Sequence, residues 1–337
     1  MRNNLIDKLH KKLNSVTFKS LSKEVYTNAK NNLKFLNFGK SLKELLQINK
    51  ENKNAIIVGG GPSLRKINQI KVLKKYKKNF IIIACDGALY YLLSNGVIPD
   101  LVVTFDPHPT RIIRWFGNTN LKKKDLIKDD YFSRQDIETK FNNEIESNKK
   151  IIALFNKNAK KLKIALCTSS SKLVVRRLID SKTNIYWWNA FLDDPNKKNS
   201  LTKKIFKLNK LPIVNTGGNV GSAAWMMADN VFNCKKIALL GMDFGYYKET
   251  PIHATQYYDV LLKICKDKSK VKNFYSNIYN NKLKKIFYSD YVYMWYKKCL
   301  VEMINNSKSS TYNCTMGGIL LDKKIKWSTL EQFCKKN

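Results

Sequence analysis

The stretch "NAIIVGGGPSL", Asn54–Leu64, decides the fold. Its apolar run, Ala55–Val58, is too short for a helix and is bounded by turn residues, the pattern of a strand buried inside a sheet. Gly59, Gly60 and Gly61 then supply a turn in which main chain can approach a neighbour or a ligand closely. Pro62 lacks an N–H and suits the first turn of a helix, where that donor would be unpaired anyway. The stretch reads as strand, glycine turn, helix start.

Similar apolar runs recur: FIIIAC (Phe80–Cys85), LVVTF (Leu101–Phe105), IIALF (Ile151–Phe155), IALC (Ile164–Cys167), IYWW (Ile185–Trp188) and KIALLG (Lys236–Gly241). Near-continuous hydrophobicity suits strands covered on both faces, and helix-like segments separate several runs, so a parallel α/β sheet is expected. Residues 1–50, with Leu5, Leu9 and Leu13 at helical spacing, read as a helical extension. A sheet domain is expected over 51–250, with a polar insertion at about 118–150. Residues 251–337 read as a helical segment packed on the same domain. In it "DYVYMWYKKCLVEMINN" is amphipathic, and Tyr291, Tyr293, Trp295 and Tyr296 read as a packing face rather than a base-stacking platform.

The chain has 337 residues, 44% hydrophobic and 12% aromatic, which excludes disorder and allows a large core. Its net charge is +36, yet only seven of the 62 basic residues are arginine. Arginine is the group favoured for bidentate phosphate and base recognition, so no specific nucleic-acid partner is expected. Seven scattered cysteines form no C-x-x-C pair, which points to neither a disulfide framework nor a zinc site. No signal peptide and no run of 18 apolar residues is visible, so a cytoplasmic protein without a transmembrane segment is expected, with peripheral membrane contact left open.

In such a sheet ligands sit beyond the carboxyl ends of the strands, where glycine turns and helix N-termini favour phosphate. Gly59, Gly60, Gly61 and Ser63 fit a phosphate-bearing ligand, although the glycines could simply shape a tight turn. The loop lacks G-K-[ST], and Leu64 stands where the dinucleotide fingerprint needs its last glycine. Asp86 directly follows one strand, and Asp106 and His108 follow the next, at the same edge; Asp100 falls at the opposite end. Two acids at one edge can hold a metal-bound phosphate, bond ribose hydroxyls, act as an acid/base pair or cap a helix. A second glycine turn, Thr216, Gly217, Gly218 and Asn219, follows "LPIV". Asp243 sits just past KIALLG, and His253 follows in a polar loop. His108 and His253 both fall where a general acid or base is wanted, whereas His10 lies in the N-terminal helical stretch.

In order, "GGGPSL", "DGALYYLLSNGVIPDLVVTFDP", "TGGNVGSAAWMMADNVFNCKKIALLGMDFGY", "HA" and "TYNCTMGG" resemble the 6-hydroxymethylpterin diphosphokinase MptE-like superfamily, which includes the motility accessory factor (Maf) glycosyltransferases. The loop is also similar to the "GNGPSL" nucleotide loop of certain bacterial sialyltransferases, with Gly60 in place of the asparagine. The resemblance spans about residues 54–318. It implies a Rossmann-like, mostly parallel sheet with helices on both faces, helical N- and C-terminal extensions, and a nucleotide-binding transferase. The Maf branch implies transfer of a nonulosonic (sialic-like) acid from a CMP-sugar to a glycan or protein hydroxyl, with no further cofactor. Gly59–Gly61 and Ser63 would then hold the donor phosphate. Asp86 or Asn219 would meet ribose or base, Asp106 and Thr216–Gly218 would complete the nucleotide site, and His253 or His108 would take or give the acceptor proton, with Asp243 a further catalytic candidate. The pterin branch implies pyrophosphoryl transfer from ATP, with Mg²⁺ held by Asp86 and Asp106. A non-catalytic nucleotide-binding protein of a surface-glycan locus is the third reading. "IHA" and "TYNCTMGG" resemble the Maf branch, although Met316 stands where Maf proteins carry a glutamate. The flanks are short for a flagellin-modifying protein, so flagellin is not the expected acceptor.

Overall fold

A computed structural model describes residues 22–47, 54–108, 113–122 and 144–337. Ten strands build one sheet: β1 (Gly39–Ser41), β2 (Asn54–Val58), β3 (Ile81–Cys85), β4 (Leu101–Thr104), β5 (Lys163–Cys167), β6 (Asn184–Phe191), β7 (Ile213–Asn215), β8 (Lys236–Leu240), β12 (Ser310–Asn313) and β13 (Ile325–Trp327). Their order is β1-β6-β5-β4-β3-β2-β8-β12-β13 with β7 beside β6, and all their pairings are parallel. Strands β9 (Tyr246–Tyr247), β10 (Tyr275–Asn280) and β11 (Lys285–Asp290) form a small antiparallel sheet in the order β10-β11-β9.

The apolar runs explain the layering. Successive side chains of a strand point to opposite faces. Ala55 and Ile57, Ile81 and Ile83, Ile237 and Leu239 pack on one face with Trp225 of helix Val220–Met226 and Met303 of helix Tyr291–Asn305. Ile56 and Val58, Ile82 and Ala84, Ala238 and Leu240 pack on the other with Leu73, Leu92 and Phe333 from three further helices. Both faces are dry, so the strands cannot alternate apolar with polar residues. Each isoleucine or leucine so buried contributes about 1.5–3 kcal/mol.

The α/β class with its parallel sheet is therefore as expected, and three local expectations are corrected. "IIALF" is not a strand: it lies in helix Glu144–Asn158, where Ile151 and Phe155 are buried one helical turn apart and Leu154 is half-exposed. The two extensions are not purely helical. After a helix over residues 22–32 the N-terminal segment gives β1, which pairs with β6, while the C-terminal segment gives β12 and β13 as well as β10 and β11. Of the polar insertion, residues 123–143 lie outside the described residues, as do residues 1–21 of the N-terminal stretch. No helix among the described residues is long and apolar enough to cross a membrane.

Candidate functional site

Because every strand of the large sheet runs the same way, the loops after β2, β3, β4, β7 and β8 emerge at one edge. From β2 the chain proceeds outward through β3, β4, β5 and β6, then returns to lay β8 on the other side of β2. Such a reversal leaves a crevice at the carboxyl ends of the two central strands. A cleft of about 490 Å³ opens there, within the range of small-molecule sites.

The loops after β2 and β8 are stitched together at its base. Gly59 N–H donates to the Leu240 carbonyl (2.8 Å), and Gly61 N–H to the Gly241 carbonyl (2.9 Å). A Cβ on Gly59 would lie 2.6 Å from the Gly241 oxygen, so glycine is required by this close approach. Ser63 is buried, and its hydroxyl donates to Asp243 Oδ2 at 2.7 Å. Of the expected phosphate cradle, two of the three amides and the hydroxyl bond within the fold. Gly60 is exposed, and its N–H has no partner among the described residues. Removing the hydroxyl in Ser63→Ala should cost about 2 kcal/mol in urea unfolding, because a buried carboxylate oxygen loses its donor.

Asp243 sits in a seat made by glycines. A Cβ on Gly61 would come 2.1 Å from Oδ2, and one on Gly317 2.8 Å from Oδ1. The late "TMGG" motif therefore belongs to the site through packing: Gly317 and Gly318 close over Asp243, and Met316 adopts positive φ (56°) just before them.

Asp86 opens helix Asp86–Ser94 and is almost fully buried at the cleft. Burial pushes its carboxyl up to about 8 and the nearby Asp106 charge adds to this, against the Thr104 hydroxyl and the Gly87 amide, which favour the ionised form. Oδ1 accepts from Gly87 N–H at 2.7 Å, while Oδ2 and Thr104 Oγ1 are buried without aligned hydrogen-bond partners. Asp106 accepts from His108 N–H (2.9 Å), shaping the loop that carries both along the cleft.

The second glycine turn contributes less than expected. Gly218 and Asn219 line the cleft, but Thr216 and Gly217 do not. Asn219 caps helix Val220–Met226: its Oδ1 accepts from Ser222 N–H (2.9 Å) and its Nδ2 donates to Ser222 Oγ (2.8 Å). His253 is exposed in the turn Ile252–Ala254 and stands outside the lining, although its neighbour Ala254 belongs to it. Asp100 accepts from Ile82 N–H (2.8 Å), away from this edge as expected.

Sequence reasoning missed one cation and one wall. Arg65, just past the glycine loop, lines the cleft, and its position as a rare arginine in a lysine-rich chain was the available signal. Opposite chain segments bring Tyr246, Tyr257, Tyr293 and Tyr296 to the same cleft, so part of the aromatic helix face read as packing faces the site. Asp290 organises this wall. Fully buried, it caps helix Tyr291–Asn305 by accepting from Val292 N–H (2.8 Å) and Tyr293 N–H (2.9 Å), and it accepts from the Tyr246 hydroxyl at 2.7 Å. Burial raises its carboxyl to about 6, against these hydrogen bonds.

Comparison with known proteins agrees with this architecture. Residues 23–127 match the family model "6-hydroxymethylpterin diphosphokinase MptE-like". No curated protein sequence matches the chain. The solved structure of the MAf glycosyltransferase from Magnetospirillum magneticum AMB-1 superposes with a TM-score of 0.53 at 14% identity. That similarity covers 92% of this chain and 39% of the larger protein. The chain thus matches the MptE-like family model over residues 23–127, and as a whole it carries the α/β fold found in the Maf structure.

Proposed function

We propose that this protein is a nucleotide-dependent transferase of the MptE-like and Maf type, moving a nonulosonic acid from a CMP-sugar to a hydroxyl acceptor. The observation that carries the reading is the ≈ 490 Å³ cleft at the sheet reversal, which gathers the Gly60 amide, Arg65, Asp86 and His108. Arg65 and the Gly60 N–H offer the donor phosphate a charge and a main-chain donor. Asp86, neutral over most of the physiological range, can donate a hydrogen bond to the nucleotide where an ionised carboxylate could only accept. In the transfer, the bond between the anomeric carbon and the phosphate oxygen breaks, CMP leaves with the electron pair, and the acceptor oxygen bonds to the anomeric carbon. His108 is the histidine within the cleft lining and takes the acceptor proton. Asp243 acts by holding Ser63 and the glycine loop in place.

The pterin alternative needs Mg²⁺ between ATP and two carboxylates. Asp86 and Asp106 both line the cleft, so metal dependence is the property that separates this alternative from glycosyl transfer.

A thermal-shift screen with CMP, CMP-sialic acid, ATP and a pterin separates the readings, since a ligand at a hundredfold its Kd stabilises by about 2.7 kcal/mol. CMP and the CMP-sugar are expected to stabilise, with CMP released on turnover without added metal. AMP release from ATP that stops with chelator would overturn this in favour of the diphosphokinase, and tight binding without turnover in favour of the non-catalytic reading. Gly60→Val is expected to abolish the CMP shift while the protein still folds, its apo melting temperature lowered by the tight approach to the Gly87 backbone. A Cβ there meets Gly87 at 3.2 Å, and the remaining bulk fills the exposed approach to the loop.

A further inference from the structure

The two walls of the cleft differ in chemistry. The glycine-loop wall carries Arg65, Asp86, Asp106 and His108, whereas the wall built by residues 246–296 presents Tyr246, Thr250, Gln256, Tyr257, Tyr293 and Tyr296, with no charged side chain among its lining residues. These rings hold one another in place. Tyr257 meets Tyr293 edge-on at 5.4 Å and Tyr296 at 6.1 Å, Tyr246 lies 5.3 Å from Tyr293, and the Tyr257 and Tyr296 hydroxyls are 3.2 Å apart. Tyr296 also packs against Gly218, where a Cβ would come within 2.6 Å of its ring. Asp290, beneath the wall, fixes Tyr246 and the start of the helix that supplies Tyr293 and Tyr296.

A preorganised tyrosine surface offers apolar ring faces edged by hydroxyls at small entropic cost, because each side chain has only two rotatable angles to freeze. A pyranose is complementary to it: one face is lined by C–H groups and the rim by hydroxyls. An acidic ligand would find no cation on this wall.

We propose that this wall is the acceptor subsite and that it takes an uncharged sugar, so that the acceptor hydroxyl belongs to a glycan rather than to a peptide. The inference rests on the transferase reading for the word acceptor, but the subsite itself can be tested without turnover. Saturation-transfer NMR on the full chain would use lactose, N-acetylglucosamine and methyl α-mannoside as probes, beside a serine- and threonine-containing decapeptide. At least one sugar is expected to receive saturation. Its signal should fall at least tenfold in Tyr257→Ala and about threefold in Tyr257→Phe, which keeps the ring and loses the hydroxyl pair; melting curves of both variants verify folding. Transfer to none of the sugars, transfer to the peptide alone, or equal sugar signals in wild type and Tyr257→Ala would each overturn the proposal. So would loss of the CMP thermal shift in Tyr257→Ala with the sugar signal intact, which would assign the wall to the donor. Tyrosine-dependent sugar binding with no CMP shift in the wild type would support the subsite while sinking the donor reading.

Discussion

Asp86→Asn should melt several degrees above the wild type at pH 8 and close to it at pH 4.5. The reason is a proton. In the unfolded chain an aspartate loses its proton near pH 4, whereas in the fold burial holds Asp86 protonated up to about 8. Between those values the folded state binds the proton and the unfolded state does not, so wild-type stability falls as pH rises, at up to about 1.4 kcal/mol per pH unit. Below pH 4 both states are protonated, and above about pH 8 both are ionised, so the decline is confined to that window. Asparagine stays neutral throughout, and its oxygen can keep the bond from Gly87 N–H. The difference between the two proteins should therefore open steadily with pH and reach about 3 kcal/mol or more by pH 8. Asp290, raised to about 6 by burial, contributes to both curves and cancels in the difference. Melting curves from pH 4 to 9 test this; two parallel profiles would show that Asp86 ionises normally and would remove the neutral-donor role assigned to it.

The second large effect concerns the seat of Asp243. Gly318→Ala should destabilise the protein by about 3 kcal/mol or more, because Gly318 has positive φ (70°) and a Cβ there would lie 2.0 Å from the Asp243 carbonyl oxygen. That oxygen cannot move aside cheaply: it accepts from Ile319 N–H at 2.8 Å, and the Gly318 carbonyl in turn accepts from Asn280 at 2.9 Å. Gly96 provides the control. Its φ is nearly the same, 72°, but a Cβ there would have nothing within 4 Å, so Gly96→Ala should cost only the backbone strain, about 1 kcal/mol. Urea unfolding of both variants isolates the steric part, and equal losses would mean that Gly318 is not what shapes the aspartate's seat.

How far the sequence could be read depended on whether the signal was local. The glycine turn after β2 was legible because an apolar run, three glycines and a proline lie side by side, and the carboxyl-edge positions of Asp86, Asp106, His108 and Asp243 followed from strand direction alone. "IIALF" misled because a short apolar run has no period of its own; the helix that contains it is marked by burial of Ile151 and Phe155, which depends on the packed neighbours. Strands β1, β12 and β13 were missed because each has only three or four residues and forms by docking on a sheet edge already present.

By itself, the sequence determined the class of fold, a sheet dry on both faces, and the edge at which Asp86, Asp106, His108 and Asp243 lie, since hydrophobic runs and turn residues act over a few neighbours. Tertiary structure decided how each polar group is used. It paired the Gly59 and Gly61 amides with the β8 loop and gave the Ser63 hydroxyl to Asp243. It raised Asp86 by burying it, left His253 outside the cleft, and drew four tyrosines from two distant segments onto one wall. Hydrogen-bond partners, desolvation and cavity walls are properties of residues far apart in the chain, and only the folded arrangement brings them within reach of one another.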